Sequence, residues 1–218
     1  MFKQRILARF SVQGDVRFVS HHDLMRVLGR AARRAGLPVA MSEGFNPRPR
    51  ISLLLARGVG VASECEFAEF DLSDWLSAGD FARRLGEQLP EGLRVEHAEV
   101  ALPNVRHRVT GIDYRVTFRS DAPVTEADAR RLMEGREAIV ERERKKSRGP
   151  REMKRVDIRP LLRDLRVAGR SVEMSLAVTD EGATTRVEEV WQALGLSRDA
   201  LLADGVVTRT RMELATSG

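Results

Sequence analysis

The chain has 218 residues, with 42% hydrophobic, 32% charged and 5% aromatic side chains and a formal net charge of +5, room for one large domain or two of about 100 residues each. No stretch approaches the roughly 20 consecutive apolar residues of a membrane helix and MFKQRILARF lacks a signal-peptide centre, so a cytoplasmic protein with no membrane partner is expected. The lone cysteine, Cys65, excludes an intrachain disulfide and a CxxxCxxC cluster motif, and the histidines at 21, 22, 97 and 107 are too few and scattered for a zinc site, so neither a metal nor a cofactor is expected.

Residues 3–20, KQRILARFSVQGDVRFVS, alternate apolar and polar side chains through Ile6, Ala8 and Phe10. They turn at Gly14-Asp15 and resume with Val16, Phe18 and Val19, which predicts strand on both sides of the turn. Ser20 followed by Asp23 has the spacing of a helix N-cap with an acid in the first turn. The helix that follows places Leu24, Leu28, Ala31 and Ala35 on one face and Arg26, Arg30, Arg33 and Arg34 on the other, and ends at Gly36 and Pro38.

The stretch SEGFNPRPRIS, residues 42–52, is a loop signal. ISLLLARGVGV and CEFAEFDLS then predict two strands, AGDFARRLGEQL a helix stopped by Pro90 and Gly92, and RVEHAEVAL a fourth strand. The order strand, helix, strand, strand, helix, strand is that of the split βαβ or ferredoxin-like unit.

Beyond Pro103 the order returns more loosely. DYRVTFR predicts a strand, Thr125 caps the helix TEADARRLMEG, and AIVERERK is strand-like until a basic run interrupts it. DIRPLLRDLRVAGRSVEMSLAVT supplies strand material around Gly169, RVEEVWQALGL is an amphipathic helix with Val187, Val190, Trp191 and Leu194 inward, and VVTRTRMEL closes as a strand. The expected fold is α+β: two tandem ferredoxin-like halves with antiparallel sheets, residues 1–105 and 106–218. A single larger α+β domain is the alternative.

Charge is unevenly distributed. Residues 1–60 carry eleven Lys/Arg against three acids, residues 61–100 ten acids against three Arg, and residues 142–155, RERKKSRGPREMKR, eight basic residues against two acids. No acid lies between Leu24 and Gly36, whereas a solvated helix face usually mixes signs; the arginine row therefore suits successive phosphates. In the 42–52 loop Pro47 and Pro49 stiffen the chain around Asn46, Arg48 and Arg50, which favours a binding role; the alternative is a structural loop that Phe45 staples to the core. The 142–155 run reads as a mobile basic loop able to order on RNA, contributing Arg144, Lys145, Lys146, Arg148, Lys154 and Arg155. His21 and His22, in the first helical turn, suit capping or packing, phosphate binding, or proton transfer.

RFVSHHDLMRVLGRAARRAGLPVAMSEGFNPRPRISL resembles the N-terminal signature of the radical-SAM-linked proteins, a bacterial family of uncharacterised function, and KRVDIRPLLRDL resembles its later signature. Ser20, His21, Asp23, Arg26, Gly44, Phe45, Asn46, Pro47 and Pro49 fall on that pattern. The resemblance implies a stand-alone partner of a separate radical SAM enzyme, since this chain has no cluster-binding cysteines. Tandem ferredoxin-like halves with a basic face are also similar in outline to CRISPR repeat-processing endonucleases, a fold-level analogy alone.

The leading expectation is an RNA-binding accessory protein, not itself an enzyme, that acts with the radical SAM protein on ribosomal or transfer RNA. The alternatives are a metal-independent ribonuclease using His21 or His22, and a protein-only adaptor for the radical SAM partner.

Overall fold

A computed structural model describes residues 2–102, 105–144, 152–197, 199, 201 and 204–217, the side chains of Arg144 and Ser217 excepted. The fold is mixed α/β with antiparallel strand pairing, and the chain divides into two compact units. Unit 1 comprises residues 1–109 and 214–218, and unit 2 residues 110–213.

In unit 1 the order is β1 (Gln4–Val12), α1 (His21–Arg34), β2 (Ile51–Leu53), β3 (Ala62–Leu72), α2 (Ala78–Gly86) and β4 (Leu93–Ala101). β1 lies between β4 and β3, antiparallel to both, and β2 also pairs with β3. Strand alternation sends Ile6, Ala8, Phe10 and Val12 of β1 and Ala68, Phe70 and Leu72 of β3 to one sheet face. There they form the core with Leu24, Leu28, Ala31 and Ala32 of α1 and Phe81 and Leu85 of α2, and Phe70 and Phe81 meet edge to face at 5.0 Å.

Two details depart from the sequence reading. Residues Gly14–Phe18 form a 3-10 helix rather than a strand: Gly14 takes φ +58°, which reverses the chain, and Val19 N–H closes the turn on the Val16 carbonyl at 3.1 Å. β2 is only three residues long. The rest of LLARGVGV is irregular, and the buried Arg57 guanidinium ties it down by donating to the carbonyls of Arg17 (2.7 Å), Gly58 (3.2 Å), Val61 and Val19 (3.3 Å). An arginine with its donors spent on loop carbonyls holds the segment out of the sheet.

Unit 2 contains most of β5 (Arg106–Phe118), α3 (Glu126–Glu134), β6 (Ile139–Arg144), β7 (Glu152–Asp157), β8 (Leu162–Ala168), β9 (Ser171–Ala177), α4 (Val187–Ala193) and most of β10 (Gly205–Ser217). Its main sheet runs β10-β5-β9-β8, with β6 and β7 paired separately. The basic run is thus not wholly a loop: Glu152–Asp157 is a strand, in register with Ile139–Arg144. Thr125 and Asp128 cap α3 reciprocally, as the threonine led one to expect. The core carries Ile112, Val116, Phe118, Leu165, Val172, Met174, Leu176, Val190 and Trp191, with Phe118 and Trp191 stacked at 5.5 Å.

An ion pair ties β6 to α4. Arg142 donates to both Glu189 carboxylate oxygens at 2.6 and 2.7 Å, and Glu189 also accepts from the Thr185 hydroxyl (2.9 Å) and the Arg186 amide (3.0 Å). Burial alone would raise the Glu189 carboxyl, but these donors outweigh it and hold the group below its ordinary value. Stability from a depressed carboxyl is fully present above its unfolded pKa and is lost as pH falls through the folded value. Accordingly, Glu189→Gln should lower the thermal midpoint at pH 7, and the gap to wild type should close as the pH is taken down through the carboxylate range. Arg142→Met, which leaves the carboxylate unpaired, should cost more at pH 7, roughly 3 kcal/mol in urea unfolding.

Candidate nucleic-acid interface

The segment SEGFNPRPR forms a pinned hairpin-like loop in unit 1. Ser42 N–H donates to Arg48 O (2.8 Å), Arg48 N–H to the Ser42 hydroxyl (2.9 Å) and Arg50 N–H to Ala40 O (2.8 Å), while Met41 and Pro49 form an antiparallel bridge. One layer further in, Ala40 N–H donates to Asp71 O (2.8 Å) and Asp71 N–H to Arg50 O (3.0 Å), so the loop stem extends the hydrogen bonding of β3. The tip is Glu43–Pro47, with Gly44 at φ +113°.

The loop stem passes over α1 at Gly29. A Cβ there would lie 3.5 Å from Pro49 Cγ and 4.0 Å from Ile51 Cδ1. Arg26 and Arg33 stand one turn before and one turn after Gly29 on the same side of the helix, and Arg30 follows it directly. Arg48 directly precedes Pro49 on the stem.

These arginines are not equivalent. Arg26 pairs with Asp23 at 2.8 Å, Arg34 donates to Gln88 O at 2.6 Å, and Arg50 pairs with Asp71 at 3.1 Å while its guanidinium lies 5.3 Å from the Phe2 ring centre. Arg30, Arg33 and Arg48 are exposed, and their side chains make no hydrogen bond or ion pair among the described residues. Asn46 is exposed at the tip. Lys154 and Arg155 are exposed on β7, Arg155 in register with Glu141. Lys145, Lys146, Arg148 and the side chain of Arg144 lie outside the described residues.

Charge segregates within unit 1. β3 directs Glu69 and Asp71 to the sheet face away from the core, yet both are buried. Arg5 bridges them, 2.8 Å from Asp71 and 3.5 Å from Glu69, and His107 Nδ1 lies 2.9 Å from Glu69. Hydrogen bonding to Asp71 holds the Arg5 guanidinium above its ordinary value against the opposing effect of burial. Those two acids are thus spent inside the fold and do not neutralise Arg30, Arg33 or Arg48.

At the start of α1 the Ser20 hydroxyl accepts from Asp23 N–H (3.2 Å) and donates to the Asp23 carboxylate (2.7 Å); with Arg26 it holds that carboxyl below its ordinary value. Asp23 therefore serves the cap and Arg26 rather than either histidine. The imidazoles of His21 and His22 meet edge to face at 5.7 Å, and neither accepts or donates a hydrogen bond among the described residues. His21 Nδ1 is buried without a partner. Among the described residues no cluster of metal-ligating side chains occurs, and no helix is long and apolar enough to cross a membrane.

Of the two readings the sequence left open for this loop, the structure does not have the one in which Phe45 staples it to the core: Phe45 stands at the tip with relative exposure of 105%. The core beneath is already filled by Ile51 and the α1 leucines, and the Ser42–Arg48 rung aims the tip away from it. The flanking Gly44 and Pro47 were the available signal, since together they build a projecting turn.

Residues 5–188 match the model of a family described as an uncharacterised protein conserved in bacteria, DUF2344. The chain belongs to that family. No curated protein matches it. The family match takes in the whole of α1, the 42–52 loop and β3, so the interface described above lies within the shared part of the chain.

The contact at Gly29 is open to a direct check. A methyl group there makes ordinary van der Waals contact with Pro49 and removes an interior helical glycine, so Gly29→Ala should raise the thermal midpoint by about 2–4 °C. Gly29→Leu should lower it by pushing the loop stem off the helix, which differential scanning fluorimetry of the two variants would read.

Proposed function

We propose that this protein binds RNA through unit 1, with Arg30, Arg33 and Arg48 contacting phosphates and Arg26, Arg34 and Arg50 shaping the same surface. The observation that carries the proposal is the charge segregation: Arg30 and Arg33 on α1 and Arg48 on the loop stem are exposed with no acid partner among the described residues, while Glu69 and Asp71 are consumed in internal pairs. Exposed guanidiniums held at fixed spacing without acid partners suit a polyanion better than a solvated surface. Lys154 and Arg155 of β7, with the basic run before them, add sequence-independent attraction.

In this reading the two units are ferredoxin-like halves. The orders β4-β1-β3 with β2 on β3, and β10-β5-β9-β8, support it, the β6–β7 pair being an insertion between α3 and β8 of the second half. The partner is a separate radical SAM enzyme, in the cytoplasm, to which the protein presents ribosomal or transfer RNA for modification or processing. The resemblance of residues 17–53 to the radical-SAM-linked signature supports that partner, and the absence of a CxxxCxxC motif assigns the cluster chemistry to the other chain.

Fluorescence anisotropy of a labelled single-stranded RNA over a salt series tests the binding claim. For single strands each phosphate contact contributes about 0.7 to the slope of log K against log salt, so Arg30→Ala/Arg33→Ala/Arg48→Ala should reduce that slope by about 2. Arg115→Ala, a half-buried arginine of unit 2 paired with Glu173, should leave it unchanged. Absence of RNA binding at low salt, or an unaltered slope in the triple variant, would overturn the proposal.

A further inference from the structure

The tip of the 42–48 loop pairs an unusual apolar exposure with a polar surround. Phe45 has its ring wholly in solvent, at 105% relative exposure, on a backbone held by the Ser42–Arg48 rung and stiffened by Pro47 and Pro49. Its nearest chain neighbours are Gly44, where an added Cβ would meet nothing within 4 Å, and Asn46, whose amide is exposed. Arg48 stands at the stem, exposed, and its side chain makes no hydrogen bond or ion pair among the described residues. A phenyl ring costs free energy in water, and one projected by a rigid turn is available for stacking with little ordering entropy left to lose.

We propose that Phe45 stacks on an unpaired nucleobase, so that this site takes single-stranded RNA or an extruded nucleotide of a structured RNA and not continuous duplex. The inference rests on the RNA-binding reading above and names the kind of RNA that site takes. In a duplex both faces of every base are covered by its neighbours, and the A-form major groove is too narrow for side chains to read. A lone exposed aromatic has its use where a base is splayed out. The three unpaired arginines along α1 and the stem then hold the phosphates that flank the stacked base, and the exposed Asn46 amide, with both donors and an acceptor, is placed to meet a base edge.

The tip chemistry disfavours an anionic membrane as occupant. Only one large apolar side chain stands at the tip, and Glu43 beside it would be repelled by acidic headgroups.

Because Phe45 makes no core contact, its substitution leaves the fold intact, and binding reads the ring alone. Wild type, Phe45→Ala and Phe45→Trp are titrated against a single-stranded RNA and a duplex RNA of equal length, with vesicles containing phosphatidylserine as a third arm. The proposal expects wild type to prefer the single strand, and Phe45→Ala to lose about ten- to a hundredfold on it with little change on duplex and an unchanged salt slope. Phe45→Trp should retain affinity, with its added indole emission quenched on binding. If Phe45→Ala binds the single strand as well as wild type while the triple arginine variant is weakened, the stacking inference fails and RNA binding stands. If no RNA binds, both fail. Vesicle binding that depends on Phe45, without a single-strand preference, would overturn the inference in favour of a lipid surface.

Discussion

Asp71 is the side chain on which the organisation of unit 1 depends. Its backbone N–H and C=O hold Arg50 and Ala40, the two sides of the loop stem, and its buried carboxylate accepts from Arg5 at 2.8 Å and pairs with Arg50 at 3.1 Å. One residue thus joins β1, β3 and the loop. A carboxylate in that position is tolerable because two guanidiniums meet it, and the same pairing keeps the stem from drifting off β3. The placement of the tip follows from both sides of the stem being tied to β3 and from Pro49 being seated on Gly29.

That anchoring also shapes the surface electrostatics. The acidic segment 61–100 would nominally offset the basic first 60 residues, but two of its ten acids, Glu69 and Asp71, are buried on the sheet face away from the core, where they pair with Arg5 and Arg50 and Glu69 meets His107 Nδ1. Arg84 is likewise taken up, donating to the carbonyls of Ala35 (2.7 Å) and Gly36 (2.6 Å) at the end of α1. There it satisfies carbonyls that a helix end leaves open. What remains outside on α1 and the stem is Arg30, Arg33 and Arg48, which have no acid partners among the described residues.

The elements with strong local signals were legible in the sequence. Ser20 and Asp23 cap α1, Thr125 and Asp128 cap α3, and the apolar faces of α1 and α2 pack as their periodicity required. What was not legible depended on partners far away in the chain. The role of Arg50 follows from Asp71 and that of Arg34 from Gln88, 54 residues on, and no helical wheel separates such an arginine from Arg30 or Arg33. Arg57, read as part of a strand, is a buried clamp on carbonyls some 40 residues earlier. The strand character of EMKRVD was hidden because its exposed positions show no alternation; it pairs with β6 by register alone. The alternative in which Phe45 staples the loop fails for a related reason: hydrophobicity predicts burial on average, and a projecting tip over an already filled core is where the average fails.

In the proposed function, unit 1, and the 42–50 loop within it, is the primary contact with RNA. Ultraviolet crosslinking of the intact protein to single-stranded RNA, followed by mass spectrometry of the nucleotide–peptide adducts, tests that placement most directly. Adducts concentrated on the peptide containing Phe45, with further ones from α1, are the predicted result. Adducts confined to unit 2 with the loop unlabelled would contradict it.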